Sequence, residues 1–212
     1  MGDPGRTTGD EPRNDRRGQV LAAALQTFAR FGYRKTSMED VARAAAISRP
    51  GLYFLFSSKP DLFRAAVVQA LDGDVTAAQH TLADTRRPLH DRLIEAFDLW
   101  TGRYIGPMTR EVATLMDTNP ELLGPVIADY PGRFAALVTE AVAAGPPAPA
   151  PDRAEKVTRT LLSTAAGIKQ EVATREDFVA RMTVAVDLLL TALTCTAGQT
   201  SSTPSAKGAN RC

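Results

Sequence analysis

The chain has 212 residues, of which 44% are hydrophobic and 23% are charged, a composition typical of one or two globular domains. The formal net charge of +1 argues against a uniformly basic protein. The presence of two cysteines argues against a framework of several disulfides. No apolar run reaches the ~20 residues of a membrane helix, and the N-terminus lacks an apolar signal core. We therefore expect a cytoplasmic protein without a membrane segment.

The positive charge is concentrated in one segment near the N-terminus. Between Arg16 and Arg64 there are nine basic residues and three acidic ones, which gives this segment a net charge of +6. The parts of the chain on either side are net acidic. A local excess of this kind is typical of a surface that binds a polyanion, and a solvated charged face is the alternative.

Both ends of the chain are polar. Residues 1–15 and 198–212 are rich in Gly, Pro, Thr, Ser and charged residues, so we expect a disordered arm and a disordered tail. The arginines of the arm could enter a minor groove or simply be solvated. Between the two ends, apolar residues recur at helical spacing. The sequence predicts an all-α fold with a small unit at residues 16–62 and a larger one at residues 63–197.

Helix boundaries are marked by glycines, prolines and capping residues. Gly32 fits the end of the first helix, whereas Ser37, Ser48 and Ser58 fit N-caps of the next three. In the small unit we predict helices over residues 17–30, 38–45 and 49–56, followed by a long one from residue 59. In the larger unit we predict helices over residues 88–105, 120–144, 152–172 and 175–196.

The third helix, within ISRPGLYFLF, has large rings on two sides. At about 100° per residue, Leu52, Leu55 and Phe56 gather on the side that can pack in a core. The opposite side carries Arg49, Pro50, Tyr53 and Phe54. Exposing such rings to water alone is unfavourable, so a partner surface explains them better than solvent does. The alternative is that they are core aromatics of a small bundle.

The second and third helices form a predicted helix-turn-helix, a unit that places its second helix in the major groove of DNA. Arg49 can donate to base edges or phosphate, and Tyr53 can offer its hydroxyl to phosphate and its ring to a thymine methyl group. Phe54 can make apolar contact only. Phosphate is also a suitable partner for Thr36, Ser37 and Lys59.

Residues 17–66 resemble the DNA-binding domain of the tetracycline-repressor (TetR) family. The matching order is A…F…GY..TSMEDVA..A.IS...LY..F.SK..LF, which covers about a quarter of the chain. Three residues depart from the family pattern. Ala46 replaces the usual turn glycine, and because a left-handed alanine costs about 1–2 kcal/mol we expect a right-handed turn. Leu55 replaces a phosphate-contacting Tyr or His, and Pro50 removes an N–H donor.

The resemblance implies an all-α dimer that binds a palindromic operator on double-stranded DNA. A small-molecule effector in the C-terminal domain would change the separation of the two DNA-binding units and release the operator, as in a repressor. Carried over by position, the DNA-contact candidates are Thr36, Ser37, Arg49, Pro50, Tyr53, Phe54 and Lys59. The resemblance does not identify the effector or the operator.

The larger unit has two sets of candidate residues. Its last two helices are apolar on more than one side, which a second copy of the chain would relieve. The candidate dimer residues are Leu161, Leu162, Ala165, Ile168, Met182, Val186, Leu189, Leu190 and Leu193. A pocket for a lipophilic or aromatic effector could be lined by Phe97, Trp100, Tyr104, Met108, Met116 and Phe134. In both sets, ordinary packing within the monomer is the alternative.

Two other functions are less well supported. An all-helical small-molecule-binding protein that does not regulate DNA would leave the charge cluster unexplained. An enzyme would need a catalytic arrangement, and we find no Ser/His/Asp set, no phosphate-binding glycine loop and no metal-ligand spacing. We expect a regulator that is not an enzyme and needs no cofactor or metal.

Overall fold

The computed structural model of the chain describes residues 11–106, 123, 128–146 and 148–197. Within these residues there are eight α-helices and no strands, which confirms the predicted all-α fold. The helices are α1 (Glu11–Phe31), α2 (Met38–Ala44), α3 (Arg49–Leu55), α4 (Lys59–Ala83), α5 (Leu89–Trp100), α6 (Asp129–Ala144), α7 (Pro151–Glu171) and α8 (Arg175–Ala197). A short 3₁₀ turn, Gly102–Tyr104, follows α5.

Helices α1 to α3 and the first half of α4 form a small N-terminal unit, here called the head. Three serines begin its helices by accepting a hydrogen bond from a backbone N–H three residues ahead, as the sequence predicts: Ser37, Ser48 and Ser58. The core of the head contains an aromatic cluster in which Phe28 meets Phe63 edge-on, with 5.2 Å between ring centroids. Leu52 and Phe56 bury the inner side of α3 against it.

Helix α4 belongs to two hydrophobic cores. Leu62 and Phe63 are buried in the head, whereas Ala78 and Leu82 are buried among α5 to α8. The boundary at residue 62 that the sequence suggests therefore falls inside one continuous helix. Leu123 is also buried in the head core, so the head is joined to the rest of the chain by more than α4.

The larger unit packs α5 to α8 and the second half of α4 around one apolar core. Helix α7 contacts α6 and α8, and α8 also contacts α5. The largest fully buried side chains of this core come from four different helices: Phe97, Phe134, Leu161, Phe178 and Met182. The core therefore fixes these helices to one another before any partner binds.

A buried carboxylate ties the middle of α4 to the 3₁₀ turn. Asp74 is 3% exposed, accepts a hydrogen bond from Arg103 Nη1 at 2.8 Å and accepts another from the Tyr104 hydroxyl. Burial raises the pKa of Asp74, and the two donors oppose this shift. Burial together with the Asp74 carboxylate raises the pKa of Tyr104. Neither group is left without a partner, so the contact fixes the distance between α4 and the turn.

A second carboxylate ties α4 to α6. Asp72 Oδ1 accepts from the Tyr130 hydroxyl at 2.8 Å and lies 3.3 Å from Arg133 Nη1. The two aspartates thus repeat one arrangement, in which a carboxylate on α4 holds a tyrosine and an arginine of the larger unit. We call the two sets the α4 clamps.

Two local expectations are wrong. Helix α1 begins at Glu11 and not near residue 17, so residues 11–15 of the predicted arm are helical, and residues 1–10 and 198–212 lie outside the described residues. Ala46 has a φ of 52° and is left-handed. Its N–H donates to Arg43 O and the next N–H, that of Ile47, donates to Ala42 O. These two bonds are the Schellman pattern, which requires a left-handed residue at this position.

No described helix is long and apolar enough to cross a membrane. Over the same ranges, the His, Cys, Asp and Glu side chains form no group of three or more that could hold a metal ion.

Replacing the strained alanine should stabilise the head. Ala46→Gly removes the cost of a left-handed alanine, which is about 1–2 kcal/mol. The glycine also raises the conformational entropy of the unfolded chain, which destabilises the folded state by about 0.4–1 kcal/mol. We expect the free energy of unfolding in urea to rise by roughly 0.5–1 kcal/mol. Ala45→Gly is the control, because Ala45 has a φ of −83° and should lose stability. An equal decrease in the free energy of unfolding for both variants would show that Ala46 is not strained.

The clamp on Asp74 should contribute to stability. Tyr104→Phe removes one hydrogen bond to a buried carboxylate, which should lower the free energy of unfolding by about 1.5 kcal/mol. Tyr53→Phe is the control, since its hydroxyl is on the exposed side of α3 and its loss should have little effect. Unchanged stability of the Tyr104 variant in urea denaturation would show that the clamp is not stabilising.

Candidate nucleic-acid interface

The outward side of α3 is exposed, as its helical pattern predicts. Tyr53 is 43% exposed and Phe54 is 75% exposed, while Leu52 and Phe56 on the inner side are at most 1% exposed. The rings of Tyr53 and Phe54 are therefore not core aromatics of the head. Two exposed rings side by side on a short, otherwise well-packed helix make this side a candidate contact surface for a partner.

Arg49 and Pro50 begin α3 and lie on the same outward side as the two rings. Both are exposed. The Arg49 guanidinium lies 5.7 Å from the centre of the Tyr53 ring, so the cation and the hydroxyl-bearing ring form one continuous patch. Such a patch presents hydrogen-bond donors and apolar surface together, as reading base edges and thymine methyl groups requires. We call these four residues the α3 face.

At the start of α2, the hydroxyls of Thr36 and Ser37 make hydrogen bonds within the protein. Thr36 is 2% exposed and its hydroxyl donates to Gly32 O at 2.8 Å, so the proposed phosphate contact by Thr36 is wrong for this structure. Ser37 is exposed, but its hydroxyl bonds Asp40 Oδ2 at 2.6 Å. The backbone N–H and the hydroxyl of Ser37 both donate to Asp40, and these bonds lower the pKa of the Asp40 carboxyl. A phosphate contact by Ser37 would have to share or replace its capping bonds.

Lys59 begins α4 next to the head. Its ammonium group lies 4.4 Å from the centre of the Tyr33 ring and 3.4 Å from Arg34 O. Partial burial lowers the pKa of Lys59. The side chain is thus held in place at the positive end of a long helix, where a phosphate oxygen would meet both the ammonium group and backbone N–H groups.

Further basic residues surround a groove of about 780 Å³ between α1 and α2. Arg30, Lys35 and Arg43 line it together with the exposed ring of Phe31. These residues were counted in the charge of the segment but were not assigned to a site. Their role could not be read from the sequence, because the groove depends on how α1 crosses α2.

Four of the six residues predicted to line an effector pocket lie in the described part of the chain, and the pocket itself stays a prediction. Phe97 and Phe134 are fully buried and meet edge-on, and Trp100 stacks on Phe134 with 4.9 Å between centroids. The Tyr104 hydroxyl is bonded to Asp74. Phe97 and Phe134 therefore belong to the packed core, whereas Trp100 and Tyr104 are half-buried at its edge. Met108 and Met116 lie outside the described residues.

Most of the predicted dimer residues are on the wrong side of their helices. Six of the nine are buried inside the monomer: Leu161, Ala165, Ile168, Met182, Val186 and Leu193. Leu162, Leu189 and Leu190 are half-buried and pack against the same core. The core of the larger unit takes the most apolar side of α7 and α8, so the six buried residues have no surface left for a partner.

The exposed apolar side of α8 carries different residues. Val184 is 58% exposed and Leu188, one helical turn later, is 68% exposed. On the neighbouring helix α7, the exposed positions include Ala166 and Gly167. Exposed small residues let a second helix approach α7 closely. The sequence signal for this stripe was the spacing of Val184 and Leu188, which the richer buried side obscured.

The family model described as bacterial regulatory proteins, tetR family, matches residues 20–66. FasR, an HTH-type transcriptional activator of Mycolicibacterium smegmatis, is 39% identical over 89 residues, which are 41% of this chain and 40% of FasR. The chain therefore matches less than half the length of this curated relative.

Solved structures share the fold over most of the chain. A TetR-family transcriptional regulator from Streptomyces coelicolor has a TM-score of 0.59 at 22% identity, over 88% of this chain and 85% of that one. The fatty acid degradation regulator FadR from Bacillus halodurans has a TM-score of 0.64 at 16% identity, over 87% and 97%. At these identities the likeness concerns the fold.

Proposed function

We propose that the chain, as a member of the TetR family of transcriptional regulators, regulates transcription by binding duplex DNA through the α3 face. The members of this family are regulators and not enzymes. One observation carries the proposal: Tyr53 and Phe54 are exposed beside Arg49, in a segment with a net charge of +6. The cationic surroundings favour a polyanion, and the rings favour contact with bases over contact with phosphate alone.

We further propose that the chain binds a palindromic operator as a homodimer, most simply as a repressor that blocks a promoter. The exposed stripe of Val184 and Leu188 on α8 is the surface that supports a second copy. A two-fold dimer presents two α3 faces, and two half-sites about 34–36 Å apart would match them. FasR, in contrast, is an activator. Whether this chain represses or activates a gene would depend on where its operator lies relative to the promoter.

The effector is proposed to be a small lipophilic or aromatic molecule that binds in the larger unit. Its core around Trp100 and Phe134 is apolar and aromatic, and a structural neighbour is a fatty acid degradation regulator. The α4 clamps give a route to the head. A shift of the 3₁₀ turn or of α6 would move Asp74 or Asp72, and α4 begins directly after α3.

Removing the donors of the α3 face should weaken specific DNA binding. We expect Arg49→Ala and Tyr53→Ala each to cost about 1–3 kcal/mol in affinity for the selected operator, measured by fluorescence anisotropy at fixed salt. Their melting temperatures should stay close to that of the wild type, because both side chains are exposed.

Arg159→Ala is the control, since Arg159 is an exposed arginine of α7 that pairs with Glu155. It removes the same charge far from the head and should leave the affinity unchanged. Wild-type affinity in both α3 variants would rule out the residue assignment. A wild type that binds every duplex equally weakly would instead favour the all-helical small-molecule-binding protein.

A charge in the exposed stripe should separate the dimer. Leu188→Arg places a guanidinium where the second copy is proposed to pack, so we expect a monomer in sedimentation equilibrium and a large loss of operator affinity. Gln79→Arg adds the same charge at an exposed position of α4 and should remain a dimer. If the Leu188 variant sediments as the wild type does, the stripe is not the dimer interface.

A further inference from the structure

Between Arg16 and Arg64 there are three acidic residues, and two of them have a structural task. Asp40 Oδ2 accepts from the backbone N–H and the hydroxyl of Ser37, at 2.9 and 2.6 Å, and so closes the start of α2. Asp61 Oδ2 accepts from the N–H and the hydroxyl of Ser57, at 2.9 and 3.1 Å, at the start of α4. Both carboxylates also face the positive end of a helix, where a negative charge is favourable.

Glu39 is the third acid and has a different environment. Its side chain is 61% exposed, and its Oε2 lies 3.9 Å from Arg49 Nη1, whose side chain is 60% exposed. An exposed ion pair at this distance adds little to stability. Glu39 therefore reaches from α2 to the first residue of the α3 face.

A carboxylate in this place works against non-specific DNA binding. Duplex DNA carries one negative charge per about 1.7 Å of its axis, and affinity for any sequence comes largely from cations that meet phosphates. A glutamate beside Arg49 cancels part of that attraction. Such a group can still favour binding to one sequence if it meets a hydrogen-bond donor on a base.

The bases differ in what they offer to a carboxylate in the major groove. Cytosine presents an N4 amino donor there, whereas guanine presents the acceptors N7 and O6 and thymine presents the acceptor O4. Glutamate accepts from the cytosine amino group, and arginine donates to guanine N7 and O6. Glu39 and Arg49, which lie 3.9 Å apart, can therefore contact neighbouring bases. The carboxylate suits the cytosine amino group, and the guanidinium suits guanine N7 and O6.

We propose that Glu39 is a specificity-determining residue, which accepts from the N4 amino group of a cytosine while it holds Arg49 toward a neighbouring guanine. The proposal rests on DNA binding through the α3 face and goes beyond it by assigning a base to a residue of α2. Glu39 lowers affinity for DNA in general and restores it at sites that carry this cytosine in each half.

The test is a parallel selection from a pool of random-sequence duplexes by the full-length wild type, Glu39→Gln and Glu176→Gln. The last variant neutralises an exposed glutamate in the first turn of α8 and is the matched control. We expect the wild type and the control to enrich one site with the same base preferences. Glu39→Gln should lose about tenfold discrimination at one base pair of each half-site and keep the preferences elsewhere.

A second readout separates base reading from a structural role. Glu39→Gln should bind a duplex of unrelated sequence several-fold more tightly than the wild type does, because a negative charge is removed near the phosphates. Its melting temperature should match that of the wild type.

Three results are decisive against the inference in different ways. A Glu39→Gln selection identical to the wild type at every position overturns the role of Glu39 and leaves DNA binding through the α3 face intact. Weaker binding of the variant to all duplexes, with a lowered melting temperature, shows a structural role only. A wild type that enriches no site overturns the proposed function and this inference with it.

Discussion

The structure depends on the burial of one helix in two cores. The first half of α4 buries Leu62 and Phe63 in the head, and its second half buries Ala78 and Leu82 in the larger unit. A helix 25 residues long is stiff over this distance. The position of the head is therefore set by the larger unit, and a rotation of α4 in one core has to be accommodated in the other.

The α4 clamps give this constraint a polar part. Between the two apolar halves, Asp74 holds a tyrosine and an arginine of the 3₁₀ turn, and Asp72 holds a tyrosine and an arginine of α6. Because such bonds are directional, a displacement that apolar packing would tolerate breaks a clamp. Leu123 adds a contact from the larger unit inside the head core. An effector that moves these elements can change the head without touching the α3 face.

The sequence predicted the head well because short-range chemistry determines it. Ser48 caps α3, and Leu52 and Phe56 lie together on its inner side, so the outward direction of Tyr53 and Phe54 follows from helix geometry. Thr36 was misassigned because its hydroxyl bonds the carbonyl four residues earlier, an alternative that threonine always has. Ala46 was misjudged because two backbone hydrogen bonds outweigh the strain of its φ.

The larger unit was predicted less well, because several helices compete for the same apolar residues. Met182 and Val186 are as suitable for a dimer interface as Val184 and Leu188 when only α8 is considered. Packing decides between them, since the monomer core takes the more apolar side first. The same reasoning explains Phe97 and Phe134, whose size suits a pocket wall and a core equally. The helix positions could be predicted from glycines, prolines and capping residues. Which side of each helix is buried depends on the helices that pack against it.

DNA recognition of the kind proposed requires the α3 face to enter the major groove. The most direct measurement is the structure of the protein bound to a duplex that carries its selected site. We expect two copies of α3 in successive major grooves, about 34–36 Å apart, with Tyr53 and Arg49 against base edges and Lys59 near phosphate. A complex in which α3 faces solvent, and DNA lies on another surface, would contradict it.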